Sequence, residues 1–163
     1  MRILRTILML LLVALIVIQF FRPKKNIHEG PQPNYIGNKF NVPADVKSIL
    51  AVACNDCHSN NTRYPWYSKI QPVAWWLNNH ITDGKRGLNF DDYTSRSLRF
   101  QYHKMEDLID VLKEGEMPLK SYTWIHKDAI LKADQKKKLT DWATSIMDTM
   151  RAQYPPDSLI RKK

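Results

Sequence analysis

Apolar residues along this chain form one unbroken block and four amphipathic stripes. The block, Thr6 to Phe21, reads TILMLLLVALIVIQFF, with Arg2 and Arg5 before it and Arg22, Lys24 and Lys25 after it. It predicts an N-terminal transmembrane helix, since it sits at the lower limit for crossing a core of about 30 Å. Its length, and the lack of an A-x-A-like site after it, favour a retained anchor over a cleaved signal peptide. Pro23 to Asn41 has no helical or strand periodicity and is rich in Pro, Gly and Asn, so residues 22–42 read as a linker.

The stripes begin at Pro43, a residue suited to the first turn of a helix. Val46, Ile49, Leu50 and Ala53 share one face and lead into Cys54. Asn55 to Lys69 reads as loop. Pro72 opens a second helix with Val73, Trp76, Leu77 and His80 or Ile81 on one face, ended by Asp83-Gly84. After a turn at Gly87 to Asp92, with Asp91 or Asp92 as the cap, the stretch Ser95 to Glu114 is helical along Leu108, Val111 and Leu112. Gly115 stops it and leaves Met117-Pro118 outside. A last helix from Asp134 to Met150 buries Leu139, Trp142, Ala143, Ile146 and Met150, and Pro155-Pro156 close it. No strand-like alternation and no repeat interrupts this order. The expected fold is all-α: a helical domain over 43–152, preceded by an anchor over 1–21 and followed by a basic tail over 153–163.

Composition changes this picture little. Of the 163 residues 44% are hydrophobic and 25% charged, as in ordinary globular chains. The net charge of +9 favours an acidic partner. No compact Lys/Arg block is interleaved with aromatics, so nucleic acid is not expected as a partner.

The chemistry is concentrated in ACNDCHS, residues 53–59, which holds both cysteines of the chain. Cys54, Cys57 and His58 fit three sites: a redox dithiol, half of a zinc site, or a covalent haem attachment point. Two cysteines cannot complete a four-cysteine zinc site, and zinc needs a further ligand from a distant histidine. A dithiol leaves His58 unexplained and expects alternating strands and helices. Haem attachment uses all three residues: two thiols one helical turn apart reach two vinyl groups, and His58 supplies the proximal nitrogen to iron. On the far side Met117 is the best-placed distal ligand, in a segment that Pro118 keeps extended, with His126 and His80 as alternatives and His103 a weaker one.

These segments carry a resemblance. CNDCHSN (54–60), YPWYSKIQPVAWWL (64–77), LNF (88–90), GEMPLKSYTWIH (115–126) and the Trp142 helix are similar to the bacterial haem-binding domain family, and the order of elements resembles a class I c-type cytochrome. The resemblance covers about residues 40 to 150. It implies one covalently bound haem c on Cys54 and Cys57, with His58 proximal and Met117 distal. It also implies a proline carbonyl that orients the His58 ring, Pro72 first and Pro65 second. Trp66, Tyr67 and Trp76 are expected in the pocket wall, and Arg63 or Lys69 are candidates to neutralise a propionate.

The function expected is one-electron transfer by a membrane-anchored mono-haem cytochrome meeting acidic redox partners, a carrier ahead of a catalyst, with a peroxidase as the enzymatic alternative. The alternative is a haem-based sensor or gas-binding module with a displaceable or bis-histidine distal ligand. Covalent attachment at this motif takes place outside the bacterial cytoplasmic membrane. The expected location is therefore the inner membrane, single-pass, with the domain on the periplasmic side.

Overall fold

Gln19, the polar interruption near the end of the apolar block, marks where the first helix stops. In the computed structural model, which describes residues 1–160, α1 covers Arg2–Ile18. Its 17 residues rise about 26 Å, short of a bilayer core of about 30 Å, and they include Arg2 and Arg5. No helix among the described residues is long and apolar enough to cross a membrane. That overturns the transmembrane anchor over 1–21, and with it the single-pass inner-membrane placement with the domain on the periplasmic side. Beyond Ile18 the backbone tightens into i→i−3 turns as far as Phe21, and there Gln19 is bound to the domain. Its Nε2 donates to the carbonyls of Leu15 (2.9 Å) and Gln71 (3.2 Å), and its Oε1 accepts from the Gln71 amide (2.9 Å). The Phe21 carbonyl then accepts from Gln71 Nε2 (2.7 Å) and Trp75 Nε1 (2.9 Å).

All regular elements among the described residues are helical. They are α2 (Ala44–Ala53), α3 (Asn55–His58), α4 (Val73–Gly87), α5 (Leu98–Glu114), α6 (Lys120–Thr123), α7 (Ala133–Gln153) and α8 (Pro156–Leu159), with 3₁₀ turns at Ile36–Asn38, Trp66–Lys69 and Lys127–Ala129. The core is built on α5 against α7. Tyr102, Met105, Leu108 and Leu112 meet Leu139, Trp142, Ala143, Ile146, Met147 and Met150, and Val46, Ile49 and Leu50 of α2 close one side. Buried Trp142 finds a partner for its indole N–H in the Asn41 carbonyl, 3.0 Å away.

The stretch read as a linker is packed against this core. Ile36 and Phe40, four residues apart, are buried, and the Ile36 amide donates to the Phe90 carbonyl at 2.8 Å. Its Pro, Gly and Asn residues hide the two apolar anchors from a periodicity reading. Asn26 ties the same stretch to the loop after the motif, donating to the Ser59 carbonyl and to Thr62 Oγ1, both at 2.9 Å.

Three helix ends also differ from expectation. Ser97, and neither Asp91 nor Asp92, caps α5 by accepting from the Phe100 amide. Lys132 is the cap of α7, where its amide donates to Gln135 Oε1 at 2.9 Å, and Asp134 sits in the first turn. The chain after Pro155 forms α8, whose Leu159 is buried in the core. Residues 161–163, the end of the stretch read as a basic tail, lie outside the described residues.

Candidate functional site

α2 ends at Ala53, and Cys54 bends the chain (φ −128°, ψ −45°) into the single turn of α3. The amides of Cys57 (3.1 Å) and His58 (3.0 Å) both donate to the Cys54 carbonyl, so the two thiols stand one turn apart with the imidazole next to them. A close neighbour fixes this turn. Gly84 of α4 lies so near that a Cβ there would come within 2.7 Å of the Cys57 carbonyl oxygen and 3.0 Å of Cys57 Cβ. This is why α4 continues through Asp83-Gly84 to Gly87: the glycine is a packing surface. The buried face of α4 is Ala74, Leu77 and Ile81. Trp76 therefore lies off the buried stripe that the sequence suggested.

Cys54, Cys57 and His58 line one cavity of about 560 Å³, within the usual range for a ligand site of roughly 300–1,000 Å³. Its other walls come from Leu88, Phe90, Leu108, Val111 and Leu112, and from Met117, Pro118, Leu119 and Tyr122. Apolar surface dominates, while Asp83, Lys104, Asp107 and Asp110 supply charged lining.

The His58 ring is oriented by a main-chain carbonyl. Its Nδ1 lies 2.8 Å from the Leu88 oxygen, which can only accept, so Nδ1 carries the proton and Nε2 keeps its lone pair. Burial pushes the imidazole below its ordinary pKa, against the opposing hydrogen bonds to Leu88 and Gly84, and so favours the neutral, ligating form. The proline carbonyls expected in this role are used elsewhere. Pro72 accepts from the Trp75 and Trp76 amides at the start of α4, and Pro65 accepts from Ser68. Leu88 heads the LNF segment, so the position lay within the resemblance, but a carbonyl is available at every residue and the side chain gives no hint of it.

Both thiols are free. Burial raises Cys54 to about 12 and Cys57 to about 11, with a smaller contribution from the charge of the neighbouring thiol on Cys54 and of Asp56 on Cys57. Thiols so placed stay protonated at neutral pH.

Across the cavity α5 stops at Gly115, whose φ of 75° is the left-handed conformation that favours glycine. Met117 follows and reaches the cavity wall. His80 lines the same cavity, with Nδ1 donating to the Trp76 carbonyl at 2.9 Å. His126 does not. Its Nε2 is engaged by Tyr67 Oη at 2.7 Å, and its ring stacks on Tyr122 with centroids 4.2 Å apart. His103 is paired with Glu106. Trp66 is 74% exposed and Trp76 46% exposed, and neither they nor Tyr67 and Pro72 line the cavity. The aromatic cover comes from Phe90 and Tyr122 instead. Arg63 is bound to Asp56 (Nε to Oδ1, 3.1 Å), and Lys69 is an exposed residue in the 3₁₀ turn.

A cavity with two protonated thiols, two imidazoles each with Nε2 free, a thioether and apolar walls is chemically suited to a haem. Comparison with known proteins points the same way. The sequence model of a family described as haem-binding domain matches residues 13–145. No curated protein and no solved structure matches the chain.

Proposed function

The chain belongs to the haem-binding domain family, and on that premise we propose that it holds its haem covalently, as haem c, and transfers single electrons. Cys54 and Cys57 would form the thioether links, His58 Nε2 the proximal bond to iron and Met117 the distal one. The observation that carries this reading is the convergence of all four side chains on one apolar cavity. Bound haem supplies an iron centre that cycles between two oxidation states.

The residues of the chain do the rest. Each thiol would add to one vinyl group, with the thiol hydrogen going to the adjacent carbon and no redox partner required. The Leu88 carbonyl holds the His58 ring in the tautomer that presents Nε2 to the cavity. Gly84 lets α4 support the turn from behind. His58 and Met117 would together hold the iron and leave no site open for oxygen or peroxide, which suits a carrier better than an enzyme. The charge of +9 suits acidic redox partners. The raised thiol pKa values oppose the dithiol reading, since exchange needs the thiolate.

The test is extraction with acid-acetone followed by a pyridine haemochrome spectrum. Haem that stays with the polypeptide and gives the c-type band is expected, and both features should vanish in Cys54→Ser/Cys57→Ser. Haem that extracts from the unaltered chain would overturn the covalent assignment. His80, which lines the same cavity, favours a second reading, a sensor whose distal position is held by histidine or is displaceable. Rapid binding of CO to the reduced protein would support it.

A further inference from the structure

The aspartate inside the attachment motif is buried and fully engaged. Asp56 is 7% exposed and, with Cys54, Cys57 and His58 on the same turn, lines the cavity. Its Oδ1 accepts from the Arg63 amide and from Arg63 Nε, both at 3.1 Å, and its Oδ2 accepts from Arg63 Nη2 at 3.2 Å. The remaining bond crosses the site: Tyr122 Oη donates to Oδ2 at 2.7 Å. Tyr122 belongs to α6, five residues beyond Met117, and itself lines the cavity.

The segment that carries Met117 has few other ties. Its amides at Glu116 and Met117 return to the Val111 carbonyl of α5, and those of α6 bond within α6 and its cap. Among the described residues, side chains of 116–126 hydrogen-bond to the motif side through Tyr122, to Asp56 and the Val52 carbonyl, and through His126, to Tyr67. His126 in turn stacks on Tyr122, so the two ties lie side by side. A hydrogen bond to an ionised acceptor is about twice as strong as a neutral one, and burial strengthens it further.

We infer that the Asp56–Tyr122 hydrogen bond is a latch that holds the Met117 segment against the attachment turn and keeps the thioether over the face opposite His58. Asp56 and Tyr122 are positioning residues, which act through Met117 and not on iron. The inference rests on the reading of Met117 as the distal ligand. Arg63 completes the device, because it grips both carboxylate oxygens and shares Oδ2 with Tyr122.

The experiment uses the full haem-loaded chain as wild type, Tyr122→Phe, Asp56→Asn and Asp56→Ala. Two quantities are measured: hydrogen exchange of peptides covering 115–126, and the near-infrared iron–sulfur band together with the rate of CO binding to the reduced protein. In Tyr122→Phe, exchange should quicken about 10- to 100-fold, as expected for loss of a hydrogen bond to a charged acceptor, the band should weaken, and CO should bind faster. Asp56→Asn, which keeps an acceptor oxygen, should lie nearer to wild type than Asp56→Ala. If Asp56→Ala does not fold, the near-isosteric Tyr122→Phe still decides. Unchanged exchange over 115–126 in Tyr122→Phe overturns the latch. So does quickened exchange that leaves the band and CO rate of a band-positive wild type untouched. A wild type without the band, in which Tyr122→Phe still quickens exchange, supports the latch as an anchor of the segment and overturns Met117 as ligand.

Discussion

Gly84 and Cys57 are packed so tightly that a methyl group on the glycine would overlap the cysteine carbonyl at 2.7 Å. The obstacle is backbone on both sides, so neither partner can swing away. Gly84→Ala should destabilise the chain by about 1–3 kcal/mol, the usual cost of overpacking, read as a lower urea midpoint. Gly87→Ala is the control: a Cβ there meets nothing within 4 Å, and its midpoint should stay near that of wild type.

Trp142 anchors α7 to the chain before α2. Trp142→Ala should cost about 3–5 kcal/mol. Trp142→Phe should cost less, since most of the ring remains and the chief loss is the 3.0 Å bond to the Asn41 carbonyl. Urea unfolding with an unchanged slope would check both values. A Phe variant as unstable as the Ala variant would show that the hydrogen bond, and not the ring, dominates.

The raised thiols predict an alkaline limb in the stability of the haem-free chain. Above about pH 8.5 the thiols of the unfolded chain lose their protons, while Cys57 and Cys54 in the fold hold theirs until about 11 and about 12. The folded state then binds more protons, so stability falls as pH rises. The contribution is fully present below pH 8.5 and is lost toward those values, at a rate of at most about 1.4 kcal/mol per thiol per pH unit. Thioether formation removes both thiols, so the haem-loaded chain should lack this limb. Its persistence after loading, seen in unfolding midpoints between pH 8 and about 9.5, below the range where the buried tyrosines Tyr93 and Tyr122 add a limb of their own, would contradict covalent attachment.

Met117 and His80 face the same cavity and can be separated by substitution. Met117→Ala should abolish the near-infrared iron–sulfur band of the oxidised protein and raise CO binding to the reduced form, with haem retained. His80→Ala should leave the band in place. The reverse pattern would assign the distal position to histidine.

The sequence disclosed those features whose signal lies in side-chain identity. The stripe of α7 matches the buried residues because that helix has one apolar face, and the spacing of Cys54, Cys57 and His58 survives as a single turn. In α5 Leu108 and Leu112 are buried as the spacing suggests, but Val111 turns to the cavity and Tyr102 and Met105 extend the buried face. Hydropathy puts Val73 and Trp76 in the stripe of α4 because they are large and apolar, whereas the fold buries the small Ala74 with Leu77 and Ile81 and leaves Trp75 and Trp76 exposed. The hydrogen bond from His58 to Leu88 was hidden because it uses the backbone. Asp56 and Tyr122, 66 positions apart, meet only through the tertiary fold. The first helix was overestimated because hydropathy alone counts Gln19, Phe20 and Phe21 as its continuation, whereas the backbone there tightens into i→i−3 turns and Gln19 is bound to Gln71.

That exchange between Gln19 and Gln71 has a practical consequence for anyone trimming the chain. A cut before Arg22, the boundary that hydropathy suggests, removes the Phe21 carbonyl and the Gln19 side chain together. Gln71 is 1% exposed, and its amide groups would be left in the interior without those partners, at a cost of about 1–3 kcal/mol for each group stranded. A truncated form would thus begin with a damaged entrance to α4, the helix that supports the attachment turn. Weak haem loading in such a form would report the missing acceptors and not a deficiency of the motif.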